Sequence, residues 1–129
     1  MKILLDTQCW LWMNAQPDRL SVSARRRLSS LDNELYLSSA SVWEIVIKYS
    51  LGKLPLPETP AEYVPSRLTA TRTSPLSIQH RHALKVAELP RHHGDPFDRM
   101  LIAQALVEGF PIMSADDQFQ AYDLEILPP

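Results

Sequence analysis

Residues 2–6 read Lys-Ile-Leu-Leu-Asp, a short apolar run that stops on an acid. A run this short and this apolar is the pattern of a buried strand in a parallel sheet. Near the other end of the chain Ile112-Met113-Ser114 repeats it and leads into Ala115-Asp116-Asp117. Between and after them, residues 34–37 (ELYL), 73–76 (TSPL) and 124–127 (LEIL) read as further short strands. Helical patterns separate these runs. Alternating short strands and helices predict an α/β fold, a three-layer sandwich with a central, mainly parallel sheet flanked by helices. Ligands of such sheets bind outside the carboxyl ends of the strands. Asp6 and Asp116 both stand at that end.

The helices can be placed by their stops and starts. Cys9-Trp-Leu-Trp-Met13 is a short apolar helical segment, and Ser21 or Ser23 caps a helix over 21–31 whose Arg25–Arg27 run faces solvent. Ser38 and Ser39 cap a helix that begins at Ala40, carries Trp43 and Glu44, and ends at Gly52. Thr59-Pro60 starts another, which Pro65 should break or kink. Ser77 to Leu89 reads as a helix with Ile78, His82, Val86 and Leu89 on one face, ended by Pro90. Asp95-Pro96 opens the strongest helix, PFDRMLIAQALVE, which closes at Gly109.

A chain of 129 residues is one domain in length, so a single unit over residues 1–129 is expected. Hydrophobic residues at 45% and charged residues at 22% suit a water-soluble protein, and no apolar run approaches the roughly 20 residues of a membrane span. The opening MKILLD is too short in apolar residues for a secretory leader, which makes the cytoplasm the expected location. Cys9 is the only cysteine, so an intramolecular disulfide and a cysteine-based zinc site are excluded. Its neighbours Trp10, Leu11 and Trp12 predict a buried thiol. Net charge is −2, which counts against indiscriminate electrostatic capture of nucleic acid.

Position matters more than total charge here. In LLDT, VWEIVIKY, DPFDRMLIAQA and MSADD an acid sits among strongly apolar residues, where a charge is costly unless compensated. Each has a local explanation. Asp95 can cap the helix at Pro96, Asp98 suits the dipole of that helix, Glu44 can pair with Lys48 one turn on, and Asp116 or Asp117 can cap a turn. Asp6 has none so simple. If the acids converge, each close pair repels by about 4 kcal/mol at an effective dielectric near 20. A hard divalent cation, Mg²⁺ or Mn²⁺, would offset that repulsion, since these ions prefer oxygen ligands. Asp95 and Asp98, three residues apart, share one helix face.

Leu4-Leu5-Asp6-Thr7, Ser39…Glu44, Asp95-Pro-Phe-Asp98-Arg99…Ala103-Gln-Ala105 and Ser114-Ala-Asp116 follow one another in an order that resembles the PIN-domain nucleases, and within them the VapC-type toxins of bacterial toxin–antitoxin pairs. The likeness extends over nearly the whole chain, and DPFDR-x-LIAQA is its most specific block. By that resemblance Asp6, Glu44, Asp98 and Asp116 match the family's four catalytic acids. Ser114 matches the small hydroxyl residue that orients a carboxylate. Asp95 is an extra acid, either a ligand or a helix cap. The resemblance implies a PIN-like fold, Mg²⁺- or Mn²⁺-dependent cleavage of RNA, often a structured RNA such as tRNA, a homodimer, and a cognate antitoxin that blocks the site.

Candidate phosphate contacts are Arg99, beside the acids, and Arg91, His92 and His93 just upstream, with Arg72 and Arg25–Arg27 more distant. His92 and His93 are adjacent and diverge on any regular element, which favours a phosphate-side loop over a metal pair. His80 and His82 are expected to be structural. Trp10, Trp12 and Trp43 could stack on bases, but their apolar surroundings favour core or subunit contacts. Other readings fare less well. A receiver-like phosphoacceptor needs a lysine after a late strand, and Lys85 is the last lysine. A phosphatase using Asp6 lacks a second aspartate two positions on. A catalytically inactive PIN fold used for binding has no reason to keep every expected acid.

Overall fold

The computed structural model describes residues 1–129. Five strands, β1 (Lys2–Leu5), β2 (Glu34–Ser38), β3 (Thr73–Leu76), β4 (Ile112–Met113) and β5 (Ile126–Leu127), form one sheet in the order β3-β2-β1-β4-β5. All four neighbouring pairs run parallel. Six helices flank it: α1 (Thr7–Ala15), α2 (Val22–Ser29), α3 (Ser39–Ser50), α4 (Pro60–Ala70), α5 (His80–Val86) and α6 (Pro96–Glu108). The expected α/β sandwich is therefore what the chain forms. Its strand order also differs from the 2-1-3-4-5 order of receiver domains.

Alternation along β1 builds two cores. Ile3 and Leu5 face one side, with Trp10, Ala24, Ile45, Tyr63 and Val64 from α1 to α4. Leu4 faces the other, with Leu101, Ile102 and Ala105 of α6 and with Phe119 and Tyr122. Each fully buried side chain of this size stabilises the fold by roughly 1.5–3 kcal/mol. Five consecutive residues of α6, Leu101 to Ala105, are buried, because this helix is covered by the sheet on one side and by α5 on another. Gln104, the polar member, donates to the Ser77 carbonyl at 3.3 Å.

Several boundaries differ from the expected ones. Ser21, not Ser23, caps α2 by accepting from the Ala24 amide at 3.0 Å. α4 is continuous across Pro65, which does not break it, with Tyr63 and Val64 buried on its inner face. α5 starts at His80 rather than Ser77, leaving Ile78 outside it and exposed. Its cap is Gln79, whose amide donates to His82 Nδ1 at 3.0 Å, and His82 Nε2 lies 2.9 Å from Glu108 Oε1. His82 is fully buried, the structural role expected of it. Cys9 and Trp10 are buried as expected and Trp12 is half-buried, but Trp43 is 62% exposed, because it lies on the outer face of α3. β4 and β5 are only two residues long each, so Ser114 falls just past the sheet.

β1 is the centre of the topology. The chain moves from it through β2 to β3 on one side, then crosses to β4 and β5 on the other. The switch opens a crevice at the carboxyl ends of β1 and β4, the place where open parallel sheets hold ligands.

Candidate active site

Asp6 follows the last residue of β1, and its amide is bound to the Met113 carbonyl of β4 at 3.1 Å. Its carboxylate also caps α1, Oδ1 accepting from the Cys9 amide at 2.7 Å. Asp116 follows β4 by three residues and caps the short 3-10 turn Asp117–Ala121, Oδ1 accepting from the Gln118 amide at 2.9 Å. The Ser114 hydroxyl accepts from the Asp116 amide at 3.0 Å, which fixes the turn between strand and acid. Glu44 stands in α3, and Asp95 and Asp98 open α6. Asp95 Oδ1 accepts from the amides of Phe97 and Asp98 at 2.9 and 3.0 Å, so this acid does cap the helix.

All five acids line one cavity of about 600 Å³, together with Thr7, Gln8, Lys48, Lys53 and the apolar Leu11, Ile45, Leu54 and Phe119. A larger groove of about 690 Å³ lies at the opposite end of β2 and β3. Its charged lining residues are Arg25, Arg72 and a single carboxylate, Glu34, which faces Lys2 at 3.9 Å, so it gathers no acids, and it places these two arginines away from the crevice.

The electrostatics of the crevice are those of crowded acids. Burial, then the charges of Asp95, Asp116, Glu44 and Asp6, push the Asp98 carboxyl up to about 7. Asp6 is 8% exposed, and burial raises its carboxyl despite the opposing hydrogen bonds of Ser114 and Cys9. Burial and the Asp6 charge also raise the Cys9 thiol, which leaves it an inert neighbour. A set of crowded carboxylates suits a hard divalent cation, whose charge would offset both the burial and the repulsion that raise Asp98. No three of these acids close around one point as a ready-made cage. Mg²⁺ does not require one, because it keeps several waters and takes one or two carboxylates.

Other predicted residues are placed differently. Arg99 turns away from the crevice. Its Nη1 donates to the Pro90 carbonyl at 2.9 Å and to the Tyr122 hydroxyl at 3.3 Å, and its Nη2 to the Val86 carbonyl at 3.3 Å. A guanidinium so occupied ties the 86–93 segment to α6. Arg91 is exposed beside it, and His92 meets the Tyr122 ring edge-on with centroids 4.9 Å apart. The His93 side chain is 8% exposed and lies between Tyr122 and Asp98. Lys48 and Lys53 escaped the sequence reading as cavity residues. Lys53 reaches the crevice because the chain reverses after α3 at Gly52, whose φ is 70°. A glycine after a helix and a lysine after the glycine were the available signal.

Comparison with known proteins agrees with this architecture. The PIN domain family model matches residues 3–125. Ribonuclease VapC22 of Mycobacterium tuberculosis is 26% identical over 121 residues, 93% of this chain and 91% of that protein. Ribonuclease VapC16 of the same organism is 52% identical over 58 residues, a stretch that spans 45% of this chain and only 41% of that relative. Among solved structures, VapBC2 from Rickettsia felis, bound to a DNA fragment from its promoter, superposes with a TM-score of 0.74 at 18% identity, covering 98% of each chain. DNA-bound VapBC from Salmonella typhimurium gives 0.71 at 20% identity, covering 98% of this chain and 97% of that one. With a family model spanning almost its whole length, this chain belongs to the PIN-domain family and is homologous to VapC-type toxins.

Proposed function

We propose that this protein is a divalent-metal-dependent endoribonuclease, the toxin of a type II toxin–antitoxin pair. The observation that carries the reading is five acids from separate elements, Asp6, Glu44, Asp95, Asp98 and Asp116, lining one crevice at the sheet's switch point, where burial and the other four push the Asp98 carboxyl up. Crowding of this kind is destabilising in itself and is explained by a cation that offsets it. Of Asp6, Glu44, Asp98 and Asp116, with the second oxygen of Asp95 a further candidate, one or two carboxylates would hold Mg²⁺ or Mn²⁺ directly and the others through its waters. Such an ion supplies Lewis-acid stabilisation of a phosphodiester and a more acidic water. The chain's own contribution is to orient the carboxylates through Ser114 and the helix caps. Lys53, and Lys48 when freed from Glu44, would meet the phosphate backbone.

The relatives support the substrate class and the partner. VapC16 and VapC22 carry the name ribonuclease, and the VapBC structures are complexes with a second protein. A cognate antitoxin covering the crevice and a homodimeric assembly belong to the same proposal, as does a structured RNA such as tRNA as substrate. No helix is long and apolar enough to cross a membrane. The test is cleavage of RNA by purified protein with Mg²⁺ or Mn²⁺, abolished by chelator and restored by adding metal. Robust cleavage in excess chelator would overturn the metal mechanism.

A further inference from the structure

His93 stands in the loop before α6, with a side chain almost wholly covered, and its two ring nitrogens face different groups. Nδ1 lies 2.8 Å from the Tyr122 hydroxyl. Nε2 is buried without a hydrogen-bond partner, and an Asp98 oxygen, Oδ2, lies 3.6 Å from it. The neighbours of Tyr122 decide which nitrogen carries the proton. Arg99 Nη1 donates to the Tyr122 oxygen at 3.3 Å, and a guanidinium has no other mode of bonding. The Tyr122 proton is then best used on Nδ1, where it finds a lone pair.

With Asp98 ionised, the opposite tautomer would set a lone pair of Nε2 against a carboxylate and would leave the Tyr122 proton without the Nδ1 acceptor. Neither is tolerated well in a buried site. The arrangement is thus a chain from Arg99 to Tyr122 to His93, ending in an N–H on the ring nitrogen that lies 3.6 Å from Asp98. At 3.6 Å that last contact is slightly longer than a hydrogen bond, as is common for catalytic contacts before substrate or metal arrives.

We propose that His93 is a positioning residue for Asp98, its Nε2–H holding one carboxylate oxygen and leaving the other free for a cation, with Tyr122 and Arg99 fixing the tautomer. This rests on the metal-nuclease reading and adds to it a support behind the carboxylate. Outer partners of metal ligands orient them, and their loss typically weakens metal binding about 10–100-fold.

The test uses the full chain without RNA. Nitrogen NMR of the metal-free protein at mildly alkaline pH should show His93 protonated on Nε2. Calorimetric titration with Mn²⁺ should show binding about 10-fold weaker for His93→Ala, with most of the loss recovered in His93→Gln, whose amide can donate from a similar reach. Tyr122→Phe should mix the two tautomers and weaken Mn²⁺ binding to a smaller extent. A proton on Nδ1 in the wild type, or Mn²⁺ affinity unchanged in His93→Ala, would overturn the proposal. If His93→Ala fails to fold, the wild-type spectrum and Tyr122→Phe still decide. Wild-type protein that binds no Mn²⁺ at all would remove the nuclease reading and this role together. Mn²⁺ binding indifferent to His93 would remove this role alone.

Discussion

The Lys48 ammonium lies 2.7 Å from Glu44 Oε2, one turn along the same helix, so a cavity acid is already paired with a cation. The pair occupies an oxygen that a metal would otherwise use. Glu44 is 12% exposed in its side chain and Lys48 53%, so the lysine can leave for solvent far more readily than the acid can. Replacing Lys48 by Met should therefore tighten Mn²⁺ binding about 2–5-fold, the scale of a solvent-screened pair, while weakening RNA binding. Calorimetry with Mn²⁺ and a binding assay with RNA would check both. Weaker Mn²⁺ binding in Lys48→Met would mean that the lysine supports the site instead of competing for it.

Asp98 makes stability depend on pH in a direction opposite to that of most aspartates. Its carboxyl is raised from an ordinary 3.8 to about 7, by burial first and by the acids around it second. Between those values the folded, metal-free protein keeps a proton that the unfolded chain has released. Stability must then fall as pH rises through that window. Asp98→Asn removes the titration and should be more stable than wild type at pH 8, on the order of 1–3 kcal/mol after discounting for the fifth of the side chain that solvent reaches. The difference should shrink toward pH 4 and reverse when Mn²⁺ is added. Denaturant unfolding at several pH values with chelator present measures it, and a flat difference would show that the repulsion is relieved some other way.

Arg99 separates a structural role from a substrate role. Its guanidinium bridges Pro90, Tyr122 and Val86, so Arg99→Lys keeps the charge but loses the fork that reaches several acceptors. Loss of about 2 kcal/mol of stability is expected, from hydrogen bonds to a charged donor. Thermal melts of the metal-free protein would show it. A variant that melts like wild type but binds RNA poorly would return Arg99 to the phosphate backbone.

Much of this was legible in the chain. Strand β1 and its terminal acid are visible in KILLD because a buried parallel strand needs no alternation, only length and apolarity. The caps of α2, α3 and α6 follow from Ser21, Ser38 and Asp95, whose side chains compete locally for free amides. Pro65 does not break α4, because a proline's effect depends on what holds the helix on either side, which is a tertiary property. The start of α5 was misplaced for a related reason. The Gln79 amide donates to His82 Nδ1, and the helix begins after that bond, not at the serine upstream. Among the candidate contacts, sequence adjacency put Arg99 beside the acids, but helix geometry turns the residue after Asp98 by about 100° to another side. His93 shows the converse. Nothing in its sequence neighbourhood points to Tyr122, which the fold brings to it from beyond β4.

Asp6 performs two tasks that substitution can separate. As helix cap it accepts from the Cys9 amide, and an asparagine oxygen can accept the same bond. As a charged member of the crevice it has no neutral substitute. Asp6→Asn should fold with stability equal to or above that of the metal-free wild type, since it keeps the cap and loses a repelled charge, yet cleave RNA at least a hundredfold more slowly, on the order of the loss expected for a metal ligand's partner or more. Asp6→Ala should lose cleavage equally and also about 0.5–2 kcal/mol of stability with the cap. Unfolding curves and single-turnover cleavage on the same preparations tell the two tasks apart. An Asp6→Asn protein that still cleaves would take Asp6 out of the reaction and leave it as a cap. One that fails to fold would show that its charge, and not its hydrogen bond, holds the end of β1.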